Sequence, residues 1–249
     1  MEALMENNKK AVIVGATSGI GYAVALELIN KGWILGIAGR RVDKLKELQS
    51  LAPNRIKYRE IDVQSCNSCA ELNKLIADLG GIDLYLHCSG IGKQNYSLKS
   101  EIELNTVATN VDGFVRMVTC AFNYFAAKGN GHIAVISSIA GTKGLGAAAA
   151  YSASKRFQNT YIDCLDQLCH IRKLNIDFTD IRPGFVATPL LDGGGKYPMV
   201  MDVSKVARRI VTALNKKERV TVIDWRYRIL VFFWRLIPLW LWRRLPICN

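Results

Sequence analysis

Short apolar, β-branched runs alternate along the chain with longer stretches whose apolar positions recur every three or four residues. Residues 11–14 precede a helical pattern over 19–29, 33–38 precede 42–51, and 56–61 precede 71–79. The rhythm continues with 82–87 before 105–125, 132–137 before 151–171, and a sixth run at 176–181. Strand followed by helix, repeated, predicts βαβ units with parallel strands. A further helix capped by Asp202 or Ser204 carries Val203, Val206, Ile210 and Leu214 on one face and leads to a short run at 219–223, a seventh strand. The expected class is α/β, a doubly wound parallel sheet of about seven strands with helices on both faces. Ser68, three residues before Glu71, reads as a capping box. Two stretches, 91–101 and 185–201, have loop composition, and the second holds Gly193, Gly194 and Gly195 between Pro189 and Pro198. Both follow the C-terminal ends of strands, where open parallel sheets bind ligands, so 185–201 reads as a lid over a substrate pocket.

With 249 residues, half of them hydrophobic, the chain is long enough for one large core, and no low-complexity tract points to disorder or a repeat array. The expected division is a catalytic domain over 1–224 and a distinct tail over 225–249. Seven scattered cysteines and the absence of an apolar leader predict no disulfide framework and a reducing, cytoplasmic setting. Nearly half of the net charge of +12 sits toward the end, where Arg219, Arg226, Arg228, Arg235, Arg243 and Arg244 accompany one acid, Asp224. Such a charge suits an anionic cofactor, an anionic membrane or nucleic acid. No nucleic-acid-binding motif accompanies it, and nucleic acid is not an expected partner.

The first strand turns into the first helix through Gly15-Ala16-Thr17-Ser18-Gly19-Ile20-Gly21. Glycines at such a turn let a dinucleotide pyrophosphate approach backbone N–H groups at a helix N-terminus. Tyr151 and Lys155 stand four apart on one helical face, and Ser138 ends the preceding strand. A phenol near its reference pKa of about 10 is a weak acid and base at neutral pH, and an adjacent ammonium favours its phenolate. The serine hydroxyl can hold a substrate oxygen beside it.

Over about residues 9–224 these motifs resemble the short-chain dehydrogenase/reductase family, whose domain is Rossmann-like. The glycine turn is similar to the family's TGxxxGIG with Val14 in place of the threonine, and Asn110-Val111-Asp112-Gly113 to its NxxG. Ile136-Ser137-Ser138 resembles its strand-end serine, Tyr151-Ser152-Ala153-Ser154-Lys155 its YxxxK, and Arg182-Pro183-Gly184 its Pro-Gly turn. His87-Cys88-Ser89-Gly90 stands where Asn-Asn-Ala-Gly is common. The resemblance implies that Tyr151 is the acid/base, that Lys155 lowers its pKa and holds the nicotinamide ribose, that Ser138 orients the carbonyl, and that Asn110 supports a water relay to Lys155. It further implies cofactor contacts at Gly15, Thr17, Ser18, Gly19, Ile20 and Gly21, and at the strand ends carrying Asp62, Val63, Ser89 and Gly90. After the sixth strand Pro183, Gly184 and Val186 join them, with Thr188 at the nicotinamide carboxamide. Pairing through helices 105–125 and 151–171 into a dimer or tetramer is implied in the same way.

About twenty residues past the glycine turn, the second strand ends in Arg40 and Arg41 with no carboxylate. Two guanidinium groups there suit the 2′-phosphate of NADP(H) and favour it over NAD(H), the plain alternative being that Arg41 simply starts the next helix. The activity expected is hydride transfer between NADP(H) and a ketone or secondary alcohol. Residues 145–150, small and apolar, and Phe185 suggest a hydrophobic or lipid-like substrate. Two other readings stay open: a small soluble ketone with a tail used for oligomerisation, and a non-catalytic, NADP(H)-responsive binding protein. Cys66 and Cys69 have the spacing of half a metal site without a second half, so no metal is expected. His87 reads as structural. The tail's apolar run 229–242 is interrupted by Arg235 and Pro238 and is shorter than a bilayer span. Its tryptophans and arginines suit either the headgroup layer of an anionic leaflet or packing on its own subunit or a partner.

Overall fold

Strand β1 (Lys10–Val14) carries Ala11, Val12, Ile13 and Val14 in succession, all of them buried. A strand apolar on both sides is stable only when helices cover both faces. Among residues 9–191 and 197–247, which the computed structural model describes, β1 lies mid-sheet between β2 (Ile34–Gly39) and β4 (Leu84–His87). With β3 (Ile56–Glu60), β5 (Asn130–Ile136), β6 (Asn175–Arg182) and β7 (Val220–Val222), the parallel sheet runs β3-β2-β1-β4-β5-β6-β7. The order reverses between β1 and β4, and the crevice where ligands enter such sheets lies above that reversal.

Alternate residues of β1 enter different cores. Ala11 and Ile13 pack with α1 (Gly19–Asn30), α2 (Val42–Ser50) and α7 (Val203–Asn215), while Val12 and Val14 pack with α3 (Ser68–Asp78), α5 (Phe114–Lys128) and α6 (Ala149–Arg172). The doubly wound, seven-stranded sheet expected from the sequence is therefore present, with strand ends displaced by at most two residues.

The helix expected over 105–125 is divided. It begins earlier as α4 (Ser100–Val107), passes through a π-helical turn at Ala108–Gly113, and resumes as α5. Amphipathic periodicity cannot register such an inserted turn, which here carries Asn110. The capping box is absent: α3 starts at Ser68 without a side-chain cap, because Glu71 turns to Arg59 (3.0 Å) and Lys74 (2.7 Å). Of the two candidate caps of α7, Asp202 is the one used, accepting from Lys205 N at 2.9 Å. Cys69 and Cys120 are joined as a disulfide between α3 and α5, with Cα atoms 5.8 Å apart. This pairing corrects the expectation of no disulfide framework: packing of two helices, and not local spacing, unites residues 51 apart.

In the 185–201 stretch both ends are stitched together: Ala187 N donates to Met201 O and Met201 N to Phe185 O, each at 2.9 Å. Gly193, Gly194 and Gly195 lie outside the described residues. Beyond β7 the chain continues as α8 (Trp225–Leu236) and α9 (Leu239–Trp242). Tyr227 and Val231 of α8 are buried in the same core as β1, so the tail starts as part of the domain. Among the described residues no helix is long and apolar enough to cross a membrane.

Candidate active site

The glycine turn after β1 closes on itself and on the end of β4. A Cβ on Gly15, where φ is +91°, would lie 2.6 Å from Ser89 N, and one on Gly21 would lie 2.2 Å from Gly15 O. Only glycine fits either position. Gly15 N and Ala16 N donate to Ala38 O (2.8 and 3.1 Å), tying the turn to β2. Helix α1 opens at Gly19 with no acid in its first turn and no hydrogen bond from the Ser18 side chain to its N–H groups, leaving them for an anion. Ile20 is half-buried, and Thr188 sits against Gly19, its Cβ 3.3 Å from where a glycine Cβ would stand.

Arg41 precedes the first residue of α2 and also reaches back to this turn. Its guanidinium donates to Thr17 Oγ1 (2.8 Å) and Ser18 Oγ (2.7 Å). Arg40 is exposed and makes no hydrogen bond or ion pair among the described residues. A cradle that excludes any Cβ, open N–H groups and two cations without carboxylate partners together fit a phosphate-bearing dinucleotide. Asp62 accepts from Gln64 N (3.0 Å), and Val63 is buried under Gly113 at the start of α5, where a Cβ would come within 2.7 Å of it.

The four sequence-predicted catalytic residues converge beyond β4 and β5. Asn110, fully buried in the π turn, uses both ends of its amide on one residue of the 91–99 loop: Oδ1 accepts from Ile91 N (2.9 Å) and Nδ2 donates to Ile91 O (2.7 Å). Gly90 stands against Asn110 and Lys155, and Gly92 against the Tyr151 ring, where a Cβ would meet Cδ2 at 2.5 Å. Ser138 starts a 3₁₀ turn, Ile139–Gly141, accepting from Ala140 N (3.1 Å) and donating to Pro183 O (3.4 Å). Gly184 abuts the ring of Tyr227, whose hydroxyl accepts from Phe185 N (3.1 Å) and donates to Pro198 O (3.1 Å). Val186 is buried at the stitched foot of the loop.

Tyr151 and Lys155 share one face of α6. Burial pushes the Tyr151 phenol above its ordinary value, and the Ser138 hydroxyl pulls it partly back. Lys155 makes no hydrogen bond to the phenol oxygen among the described residues. Lys155 Nζ lies 5.7 Å from the phenol ring centre and donates instead to Ile136 O and Gln158 Oε1, both at 3.0 Å. Burial brings the Lys155 ammonium down to about 8, opposed by the Asp180 carboxylate and by Cys88. Asn110 and Lys155 both flank Gly90 but share no direct hydrogen bond among the described residues. Gln158 joins them, its Nε2 donating to Asn110 O at 3.0 Å. Sequence reasoning missed Gln158, although its place three residues after Lys155 on the same helical face was a usable signal.

Other supports were missed as well. Glu103 of α4 accepts from Ala150 N (2.8 Å) and from Asn95 Nδ2 (2.8 Å), fixing the start of α6 against the 91–99 loop. Behind α6, Asp180 is held by Arg182 (2.6 and 2.8 Å), Asn159 (2.8 Å) and Ser137 in a buried network. A buried carboxylate satisfied this fully is a rigid support and not a free base. His87, fully buried, shares a hydrogen bond with Tyr85 (2.9 Å), and burial lowers its pKa to about 3, which keeps it neutral.

The tail supplies one wall of the site. Trp242 Nε1 donates to Gly144 O (2.7 Å) and Lys143 Nζ to Ile237 O (2.6 Å), closing α9 onto the segment between Ser138 and Tyr151. Trp242, Ala140 and Leu145 form a small apolar cluster against which Tyr151, Trp234, Ile237 and Ile247 pack.

Comparison with known proteins agrees with this construction. The profile of the short chain dehydrogenase family matches residues 9–195. An uncharacterized oxidoreductase of Myxococcus xanthus is 32% identical over 197 residues, covering 77% of each chain. A dehydrogenase/reductase SDR family member 7B of Xenopus tropicalis is 29% identical, over 84% of this chain and 74% of that one. Among solved structures, a short-chain dehydrogenase from Streptomyces avermitilis superposes with a TM-score of 0.80 at 20% identity, over 92% of this chain and 93% of that one. A variant of the actinorhodin polyketide ketoreductase, solved with NADPH, superposes with a TM-score of 0.76 at 23% identity, over 89% and 97%. At these identities the solved structures speak for the fold alone. The chain belongs to the short-chain dehydrogenase family and is an oxidoreductase of the kind that works with a nicotinamide cofactor.

Proposed function

We propose that the chain interconverts a hydrophobic ketone and its secondary alcohol using NADP(H). The observation that carries this reading is the convergence of Ser138, Tyr151 and Lys155 beside an apolar wall built by Leu145 and Trp242. The exposed guanidinium of Arg40 and that of Arg41 at the glycine turn favour a 2′-phosphate. Neighbours solved with NADP or NADPH lend that choice support. When bound, the reduced cofactor supplies a hydride to the carbonyl carbon.

The chain's own groups handle the oxygen and its proton. The Ser138 hydroxyl donates a hydrogen bond to the carbonyl oxygen, and Tyr151 gives that oxygen the proton that completes the alcohol. A phenol raised by burial is the protonated acid that reduction requires at neutral pH. The phenolate left behind takes its next proton from water, and the Lys155 ammonium beside the ring, held by Ile136 O and Gln158 Oε1, favours the negative charge until it does. The Lys155 ammonium would also hold a ribose hydroxyl of the cofactor. In the alcohol-oxidising direction every transfer reverses, and the phenolate takes the proton.

The test is NADPH oxidation in mixed micelles over a panel of long-chain and steroidal ketones. Tyr151→Phe is expected to lower turnover by about 10²- to 10⁴-fold, the usual worth of a positioned acid, with NADPH affinity unchanged. Turnover that survives Tyr151→Phe would overturn the assignment of the acid. Tight NADPH binding with no turnover on any ketone would favour the non-catalytic binding protein.

A further inference from the structure

Helix α8 has two apolar faces, and the fold uses only one. Tyr227, Leu230, Val231 and Trp234 pack inward. Trp225, Ile229, Phe232, Phe233 and Leu236, spaced along the opposite side, are exposed, Trp225 by 68% and Leu236 by 63%. Leu239 and Trp240 continue the surface, Trp240 at 62% exposure. A globular protein rarely leaves so continuous an apolar face uncovered, and its presence marks an interaction site.

The charge around this face selects the partner. Residues 225–249 hold five arginines and no aspartate or glutamate. Arg226 pairs with Asp224, whereas Arg228, Arg235, Arg243 and Arg244 pair with no carboxylate among the described residues. Arg244 lies over the ring of Trp240 at 5.9 Å, so a cation and an interfacial aromatic are presented together. A two-fold contact with a second copy would set these arginines against themselves, with no acid to neutralise them. Anionic headgroups would neutralise every one, while the exposed rings enter the boundary of the acyl chains. A helix of 12 residues is about 18 Å long, too short to cross a bilayer and suited to lying in its surface.

We infer that the outer face of α8 and α9 docks the protein on an anionic lipid surface. The inner side of the same tail packs beside Tyr151, so docking brings that wall close to the lipid boundary. The inference concerns the outer face and stands independently of the activity proposed above.

The experiment is flotation of the full chain with vesicles of phosphatidylglycerol and phosphatidylcholine, against vesicles of phosphatidylcholine alone. The protein is expected to rise with the anionic vesicles and to bind the neutral ones at least tenfold more weakly. Two sets of exposed substitutions separate the contributions. Phe232→Ser, Phe233→Ser and Leu236→Ser together should weaken anionic-vesicle binding at least tenfold, and so should Arg235→Gln, Arg243→Gln and Arg244→Gln together. A thermal melt confirms folding, and the arginine set keeps the test decisive if the serine set unfolds. Wild-type protein left at the bottom with anionic vesicles overturns the inference. So does binding unchanged by the arginine set, or a dimer in sedimentation that the serine set dissolves without any vesicle binding.

Discussion

The cofactor side and the substrate side of this site are built in different ways. On the cofactor side, the glycine turn is one segment of seven residues, and Arg40 and Arg41 follow within the same βαβ unit. On the substrate side, the wall beside Tyr151 joins Ala140 and Leu145 to Trp242, and Trp242 reaches Gly144 across 98 positions of sequence. The cofactor side is shaped by what backbone can do at the end of a strand. The substrate side depends on side chains brought from remote segments, and can change with the tail while the turn stays intact.

The comparison breaks most sharply at Gly21. Gly21→Ala places a methyl 2.2 Å from Gly15 O, inside the turn itself. Forcing it in should cost about 2 kcal/mol of stability. Distorting the turn that would receive the pyrophosphate should weaken NADPH binding by about a hundredfold, which fluorescence titration reads directly. A smaller effect on the same side is expected from Arg41→Ala. If the proposed 2′-phosphate contact is lost, the NADPH/NADH ratio of kcat/KM should fall by about tenfold, with a smaller loss for NADH because the guanidinium also braces Thr17 and Ser18 of the turn.

The smallest effect on turnover, and a separable one on stability, comes from the sheet. Burial lowers His87 to about 3 and His132 to about 4, from an ordinary value near 6.5. Both are neutral in the folded protein, and the unfolded chain binds protons more readily as pH falls through 6.5. Stability is therefore full above pH 6.5 and declines toward pH 3. Denaturant midpoints measured from pH 7 to pH 4 should fall steadily, and His87→Gln should flatten the decline. A midpoint independent of pH over that range would contradict the burial of both rings as neutral groups.

Much of the framework was legible in the chain because it is local. Alternating apolar runs gave the seven strands, and Tyr151, Lys155 and Ser138 met because two of them share a helix face and the third ends the strand before it. What stayed hidden was set by packing. No periodicity marks the π turn that buries Asn110, and no spacing joins Cys69 to Cys120. Tyr227 falls in the stretch expected to be a distinct tail, yet its hydroxyl pins Phe185 and Pro198 at the foot of the 185–201 stretch, 42 and 29 residues away. The Lys155 side chain was placed on the correct face, but its hydrogen bonds to Ile136 and Gln158 depend on rotamer and burial, which residue types alone do not specify.

The central claim is that cofactor and substrate are held by separable halves, the second of them completed by the tail. Trp242→Ala tests it most directly, with NADPH Kd and kcat/KM for a long-chain ketone measured on the same preparation. Removing the ring from the wall beside Tyr151 should lower kcat/KM by about tenfold or more, the worth of a lost apolar contact of 1–3 kcal/mol, while Kd for NADPH stays within about twofold. Equal losses in both quantities, or no loss in kcat/KM, would contradict it.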